Sequence, residues 1–153
     1  MELFDDFKEL FECLNENNVE YVVVGGYAVA FHGAPRLTGD IDVYFDAEKA
    51  NAEQLVRALD DFGFGSLNLT TDDFSVLGSV IRLGVPPVRI DLMNQIDGVD
   101  WHEVWGGRMQ ANYDGVPIDY IGRAELVRNK QATGRLKDRA DLEALGEEDL
   151  HDE

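Results

Sequence analysis

The chain has 153 residues, enough for one domain that buries a sizeable core without disulfides or a structural metal. Thirty-one acidic residues against thirteen basic ones give a net charge of −18, which excludes broad, sequence-independent binding to DNA or RNA, because that binding runs on phosphate neutralisation. The lone Cys13 excludes a disulfide framework and a cysteine metal site and points to a reducing cytoplasm; no stretch approaches a membrane span, and the acidic N-terminus is unlike a secretion signal.

Leu3, Phe4, Phe7, Leu10, Phe11 and Leu14 recur at helical spacing, which predicts a helix over about Glu2 to Asn15 with one buried stripe. Tyr21 to Val24 is a β-branched run between turn residues and reads as a buried strand, followed by the pair Gly25-Gly26 and a short helix over Tyr27 to Phe31. A loop from Gly33 to Gly39 leads to a strand over Asp40 to Phe45, and Asp46 caps a helix expected over Ala47 to Asp61. Ser66 to Phe74 reads as an irregular connection. Ser79 to Leu83 and Val88 to Met93 read as strands joined through Pro86-Pro87, and Val116 to Ile121 as another strand behind a turn at Tyr113-Asp114-Gly115. Helices over Arg123 to Thr133 and Leu136 to Leu145 are split at Gly134. The irregular mixture of strands and helices predicts an α+β domain with a mixed β-sheet flanked by helices over residues 1–145, and an acidic, frayed tail over 146–153.

The chemistry gathers in YVVVGGYAVAFHGAPRLTGDIDVYF, residues 21–45. The paired glycines allow a tight turn and close backbone approach to a phosphate, with amides of the following helix as donors. Asp40 and Asp42, two apart on a strand, share a face while Ile41 and Val43 turn to the core. A two-metal site needs oxygen ligands around ions roughly 3.5–4 Å apart, and three carboxylates are its usual minimum. The third candidate is Asp91 in VRIDLM, on the face shared with Arg89 and Met93; a salt bridge to Arg89 or to a helix is the structural alternative. From Arg108 to Arg139 seven basic residues meet four acidic ones, so positive charge concentrates where a polyphosphate would use it. His32 reads as a loop anchor, Trp101 and Trp105 as a packed helix face, and Asp138 and Asp141 as carboxylates on one helical face that orient Lys130 or Lys137, or stay in water.

A strand followed by Gly-Gly, then Arg36-x-Thr38-x-Asp40-Ile41-Asp42 and a later Asp91, resembles the minimal nucleotidyltransferases of the DNA polymerase β-like superfamily. NKQATGRLKDRADLEAL near the C-terminus is similar to the helical element of the branch that holds the AbiEii-type toxin nucleotidyltransferases. The resemblance implies Mg²⁺, with Mn²⁺ as a substitute, on Asp40, Asp42 and Asp91. It implies NTP phosphates held by Gly25, Gly26, Arg36, Thr38, Lys130 and Lys137, and a hydroxyl acceptor that is RNA, protein or a small molecule. Gly26 stands where much of the superfamily has serine, and a single minimal domain is expected, without the additional C-terminal domain with which many larger transferases hold their acceptor. The expected function is therefore NMP transfer from an NTP with pyrophosphate release, possible partners being the acceptor and a protein encoded nearby, as in a toxin-antitoxin system. The alternative is a non-catalytic nucleotide-binding regulatory or antitoxin-like module of the same fold.

Overall fold

The computed structural model describes residues 5–34, 39–85 and 88–147. Its elements run in the order α1 (Asp5–Glu16), β1 (Tyr21–Val24), α2 (Gly25–Phe31), β2 (Asp40–Phe45), α3 (Lys49–Leu59), α4 (Thr71–Ser75), β3 (Val80–Val85), β4 (Val88–Met93), α5 (Trp101–Gly107), β5 (Met109–Tyr113), β6 (Val116–Tyr120), α6 (Arg123–Thr133) and α7 (Leu136–Ala144). Glu2 to Phe4 of the expected first helix and the expected turn at Pro86-Pro87 lie outside the described residues.

The six strands form one mixed sheet in the order β3-β4-β2-β1-β6-β5. β1 pairs antiparallel to β2 and parallel to β6, β2 runs parallel to β4, and β3-β4 and β5-β6 are antiparallel hairpins. The central strands are apolar because they are covered: Tyr21 to Val24, Ile41, Val43, Ile90 and Leu92 are all buried. The stripe of α1 supplies Phe7, Leu10, Phe11 and Leu14 to the same core, with Phe11 against Tyr21 and Phe7 edge-on to Tyr27. Asn51 ties the ends of β1 and β2 together, accepting from the Glu20 amide at 2.7 Å and donating to the Glu20 and Asp46 carbonyls.

Three segments differ from their expected form. Gly25 and Gly26 are the first turn of α2, so the helix starts at the glycine pair and not after it. The connection after α3 is not wholly irregular. A π-type turn at Asp60–Phe64 and a 3₁₀ turn at Gly65–Leu67 lead into α4, which a Thr70/Asp73 capping box starts. That short helix exists to deliver Phe74, buried edge-on against Phe45. Finally, the polar segment Met109–Tyr113 is the edge strand β5. Its pairing follows from the hairpin turn, where Asp114 (φ 49°) and Gly115 (φ 84°) take the positive φ values a type I′ turn requires. At the other end of the chain, Gly146 and Glu147 close α7, the Glu147 amide donating to the Leu142 carbonyl at 2.8 Å.

Candidate active site

β1 ends at Val24, opposite Asp42 of β2, and the parallel partner of Asp42 on β4 is Asp91. Residues paired across a sheet present their side chains on the same face, so the two carboxylates meet. Gly25 makes room for them. Its φ of +68° already disfavours any side chain, and a Cβ there would overlap the Asp42 carboxylate. Burial, then the charge of Asp91 and a hydrogen bond with it, then the charge of Asp40, push the Asp42 carboxyl up to about 6; Lys137 pulls in the opposite direction. Asp42 therefore gives up its proton at a higher pH than an ordinary carboxylate.

Two arginines complete this corner. Asp40 stands opposite Arg89 in the β2/β4 register and is ion-paired to it. Arg82 of β3 stands opposite Asp91, with its Nε 3.4 Å from Asp91 Oδ1; the Arg89 Nε lies 3.9 Å from the same oxygen. Asp91 Oδ1 and Arg89 Nε are buried without a hydrogen-bond partner.

The carboxylates form one wall of an open cleft of about 550 Å³, and α6 and α7 form another. Gly25, Asp40, Asp42, Asp91, Lys130 and Lys137 all line it, together with Arg82, Gln95, Asp97, Asn129 and Arg135. Gly26 is buried behind Gly25, and Arg36 and Thr38 lie outside the described residues. The α6 wall is fixed by Asn129, which donates to the Asp97 carbonyl at 2.9 Å, and by Gly98, where a Cβ would lie 2.7 Å from both Ala132 and the Arg128 carbonyl.

Lys130 sits differently from what a phosphate ligand requires. It is buried, with its Nζ 3.0 Å from Asp138 Oδ1 and 3.0 Å from Asp141 Oδ2. Asp138 also accepts from Thr133 Oγ1 at 2.6 Å and Arg135 Nε at 2.8 Å. Burial alone would raise the Asp138 carboxyl; the bonds from Arg135, Thr133 and Lys130 outweigh it and hold the group well below the usual carboxylate range. Lys130 is thus a buried tie between α6 and α7, whereas Lys137, exposed on the first turn of α7, presents its charge to the cleft.

Sequence reasoning missed Arg82 as a cleft residue, placed Arg135 only within the basic stretch from Arg108 to Arg139, and treated Arg89 only as a salt-bridge partner of Asp91. The V-R-I-D alternation does place Arg89 on the Asp91 face, but its pairing with Asp40 depends on strand register. Among the described residues no group of three His, Cys, Asp or Glu side chains is gathered at metal-binding geometry, and Asp40 is turned to Arg89. His32 anchors a loop, its Nε2 2.7 Å from the Ile121 carbonyl, and Trp101 and Trp105 stack on one another with Arg108 over Trp105. No described helix is long and apolar enough to cross a membrane.

Comparison with curated proteins gives no match. Among solved structures, the chain resembles a Thermotoga maritima protein assigned as a nucleotidyltransferase, with a TM-score of 0.61 at 16% identity over 90% of this chain and 88% of that one. It resembles ANT(2″)-Ia, solved in complex with adenylyl-2″-tobramycin, with a TM-score of 0.58 at 14% identity over 91% and 84% of the two chains. An antigenic nucleotidyltransferase-like protein of Paracoccidioides brasiliensis gives 0.57 at 18% identity over 92% and 74%. At such identities the shared property is the nucleotidyltransferase fold. The family model for aminoglycoside-2″-adenylyltransferase matches residues 6–114, a span that runs from α1 through β5 and includes Asp40, Asp42 and Asp91, and on this match the chain belongs to the aminoglycoside-2″-adenylyltransferase family.

Proposed function

We propose that the protein is a Mg²⁺-dependent nucleotidyltransferase, also served by Mn²⁺, that moves an NMP from an NTP to a hydroxyl and releases pyrophosphate. The observation that carries the reading is the opposition of Asp42 and Asp91 across β2 and β4, in a cleft whose other wall presents Lys137 and Arg135. Their chemistry fits a hard divalent cation: the donors are carboxylate oxygens, Asp91 Oδ1 is buried without a hydrogen-bond partner, and the Asp42 carboxyl is raised by burial and then by its like-charged neighbours. Asp42, Asp91 and Asp40 would hold the ion. When bound, it supplies charge neutralisation at the phosphates and activation of the attacking hydroxyl.

The chain's own residues account for the rest. Gly25 admits the phosphates close to the backbone, with Gly26 behind it continuing the turn, and the family resemblance adds Arg36 and Thr38 as phosphate ligands; Lys137 and Arg135 meet charge on the leaving pyrophosphate, and Lys130 holds α7 where Lys137 can do so. Asp91 orients the acceptor hydroxyl. The acceptor's hydroxyl oxygen forms the new bond to the α-phosphorus as the bond to the bridging oxygen of pyrophosphate breaks in line, and the hydroxyl proton passes to a site carboxylate. A small hydroxylated molecule suits the acceptor role better than RNA, given the net charge of −18 and an acidic cleft floor; the adenylylated tobramycin bound by one structural neighbour supports the same class.

The test is incubation with α-labelled NTPs and Mg²⁺ or Mn²⁺ plus hydroxylated acceptors, following pyrophosphate release and label transfer. Metal-dependent label on the acceptor is expected, and turnover that survives in an Asp40→Asn, Asp42→Asn variant would falsify the assignment. A second reading, a non-catalytic nucleotide-binding module, is favoured by the engagement of Asp40 with Arg89; nucleotide binding with no pyrophosphate release under any condition would select it. An AbiEii-type toxin role rests on the C-terminal helical element, and is tested by whether expression arrests growth in a manner that Asp42→Asn abolishes.

A further inference from the structure

The carboxylate corner carries its own cations. Asp40, Asp42 and Asp91 face two guanidinium groups, Arg89 on Asp40 and Arg82 on Asp91, both placed by strand register and not by chance side-chain reach. The two pairs are unlike in exposure. Arg82 has a side chain 65% exposed, whereas those of Arg89 and Asp40 are only 31% and 30% exposed. Arg89 also lies 3.9 Å from Asp91, so it reaches two of the three aspartates.

Resting on the reading above, we infer that Arg89 is a positioning residue that competes with the divalent cation for Asp40. With no cation present, its guanidinium satisfies Asp40 and offsets the like charges of the corner; loading the cation requires Asp40 to exchange Arg89 for the metal. Arginine is suited to this because its planar fork grips a carboxylate firmly, while its charge can never be discharged by proton loss. The consequence is a protein that takes up a free divalent ion weakly and accepts it together with a nucleotide, whose phosphates provide further ligands and a new partner for the arginines. Arg82, exposed and lining the same cleft, is the guanidinium placed to meet those phosphates.

The experiment is Mn²⁺ titration of the metal-stripped full chain, read by electron paramagnetic resonance at fixed pH and salt without nucleotide, for the wild type, Arg89→Gln and Arg89→Lys. Arg89→Gln is expected to bind Mn²⁺ about tenfold more tightly than the wild type, equivalent to about 1.4 kcal/mol. Arg89→Lys, which keeps the charge and loses the fork, is expected to fall between them. Wild-type and Arg89→Gln affinities that are equal, or weaker binding in the variant, would overturn the competition while leaving the metal site standing. Absence of Mn²⁺ binding in every form would instead overturn the metal site itself, and this inference with it. Should Arg89→Gln fail to fold, an Arg89→Lys affinity identical to that of the wild type overturns the inference on its own.

Discussion

Gly25 and Asp42 are interdependent, because the glycine's missing side chain is the space that the carboxylate occupies. Replacing Gly25 with Ala adds left-handed backbone strain to a steric overlap, a combined cost of about 2 to 4 kcal/mol. Urea denaturation should show that loss, and a change below about 0.5 kcal/mol would remove the argument. Asp42 itself makes a signed prediction. Its carboxyl is raised from 3.8 to about 6, so the folded state holds the proton more tightly than the unfolded chain. The stabilisation this gives is complete below about pH 4 and is lost as pH climbs through about 6. In EDTA, Asp42→Asn should therefore melt at a higher temperature than the wild type at pH 8 and show a flatter profile between pH 4 and 6. An unchanged melting temperature at pH 8 would count against the like-charge crowding described for this corner.

At the scale of elements, the α6-α7 hairpin depends on a buried ion cluster. Lys130 is held between Asp138 and Asp141, and Thr133 and Arg135 complete the bonds to Asp138. Removing one member of a buried pair leaves an uncompensated charge, so Lys130→Met is expected to cost about 3 to 5 kcal/mol. A loss of less than about 1 kcal/mol by chemical denaturation would show that the cluster is not buried as described. The Asp138 carboxyl is depressed, so its contribution is present above its ordinary range and is lost as pH falls below about 4. Asp138→Asn should accordingly lose stability at neutral pH and lose part of the wild type's acid-induced decline, which melting curves from pH 3 to 7 would register. Helices α1 and α3 were legible from their periodicity, and the break between α6 and α7 from Gly134, which ends α6 at φ 62°. The strand β5 was not, since Met109, Gln110 and Asn112 are exposed and a polar edge strand has no alternating apolar signal. Likewise α4 was hidden by its length, although Thr70 followed by Asp73 is a capping signature.

For the whole molecule, a net charge of −18 means that the compact state works against its own repulsion. Screening should relieve it: the melting temperature is expected to rise between about 0.05 M and 1 M NaCl, over which the Debye length shrinks from more than 10 Å to about 3 Å. A melting temperature independent of salt would show that the acidic surface is already neutralised by internal pairing. The sheet makes the charge distribution useful, because it brings the basic C-terminal hairpin to the same cleft as the acidic strands. What the sequence determined by itself was local: the apolar strand cores, the glycine turn, and the shared face of Asp40 and Asp42, all set by φ/ψ preference and a period of two. Only the tertiary structure decided that Asp91 stands against Asp42, that Arg89 takes Asp40, and that Lys130 is buried between two carboxylates while Lys137 faces the cleft. Those outcomes follow from the order and register of strands far apart in the chain, fixed by the summed burial of whole faces, and no local pattern of residues encodes that sum.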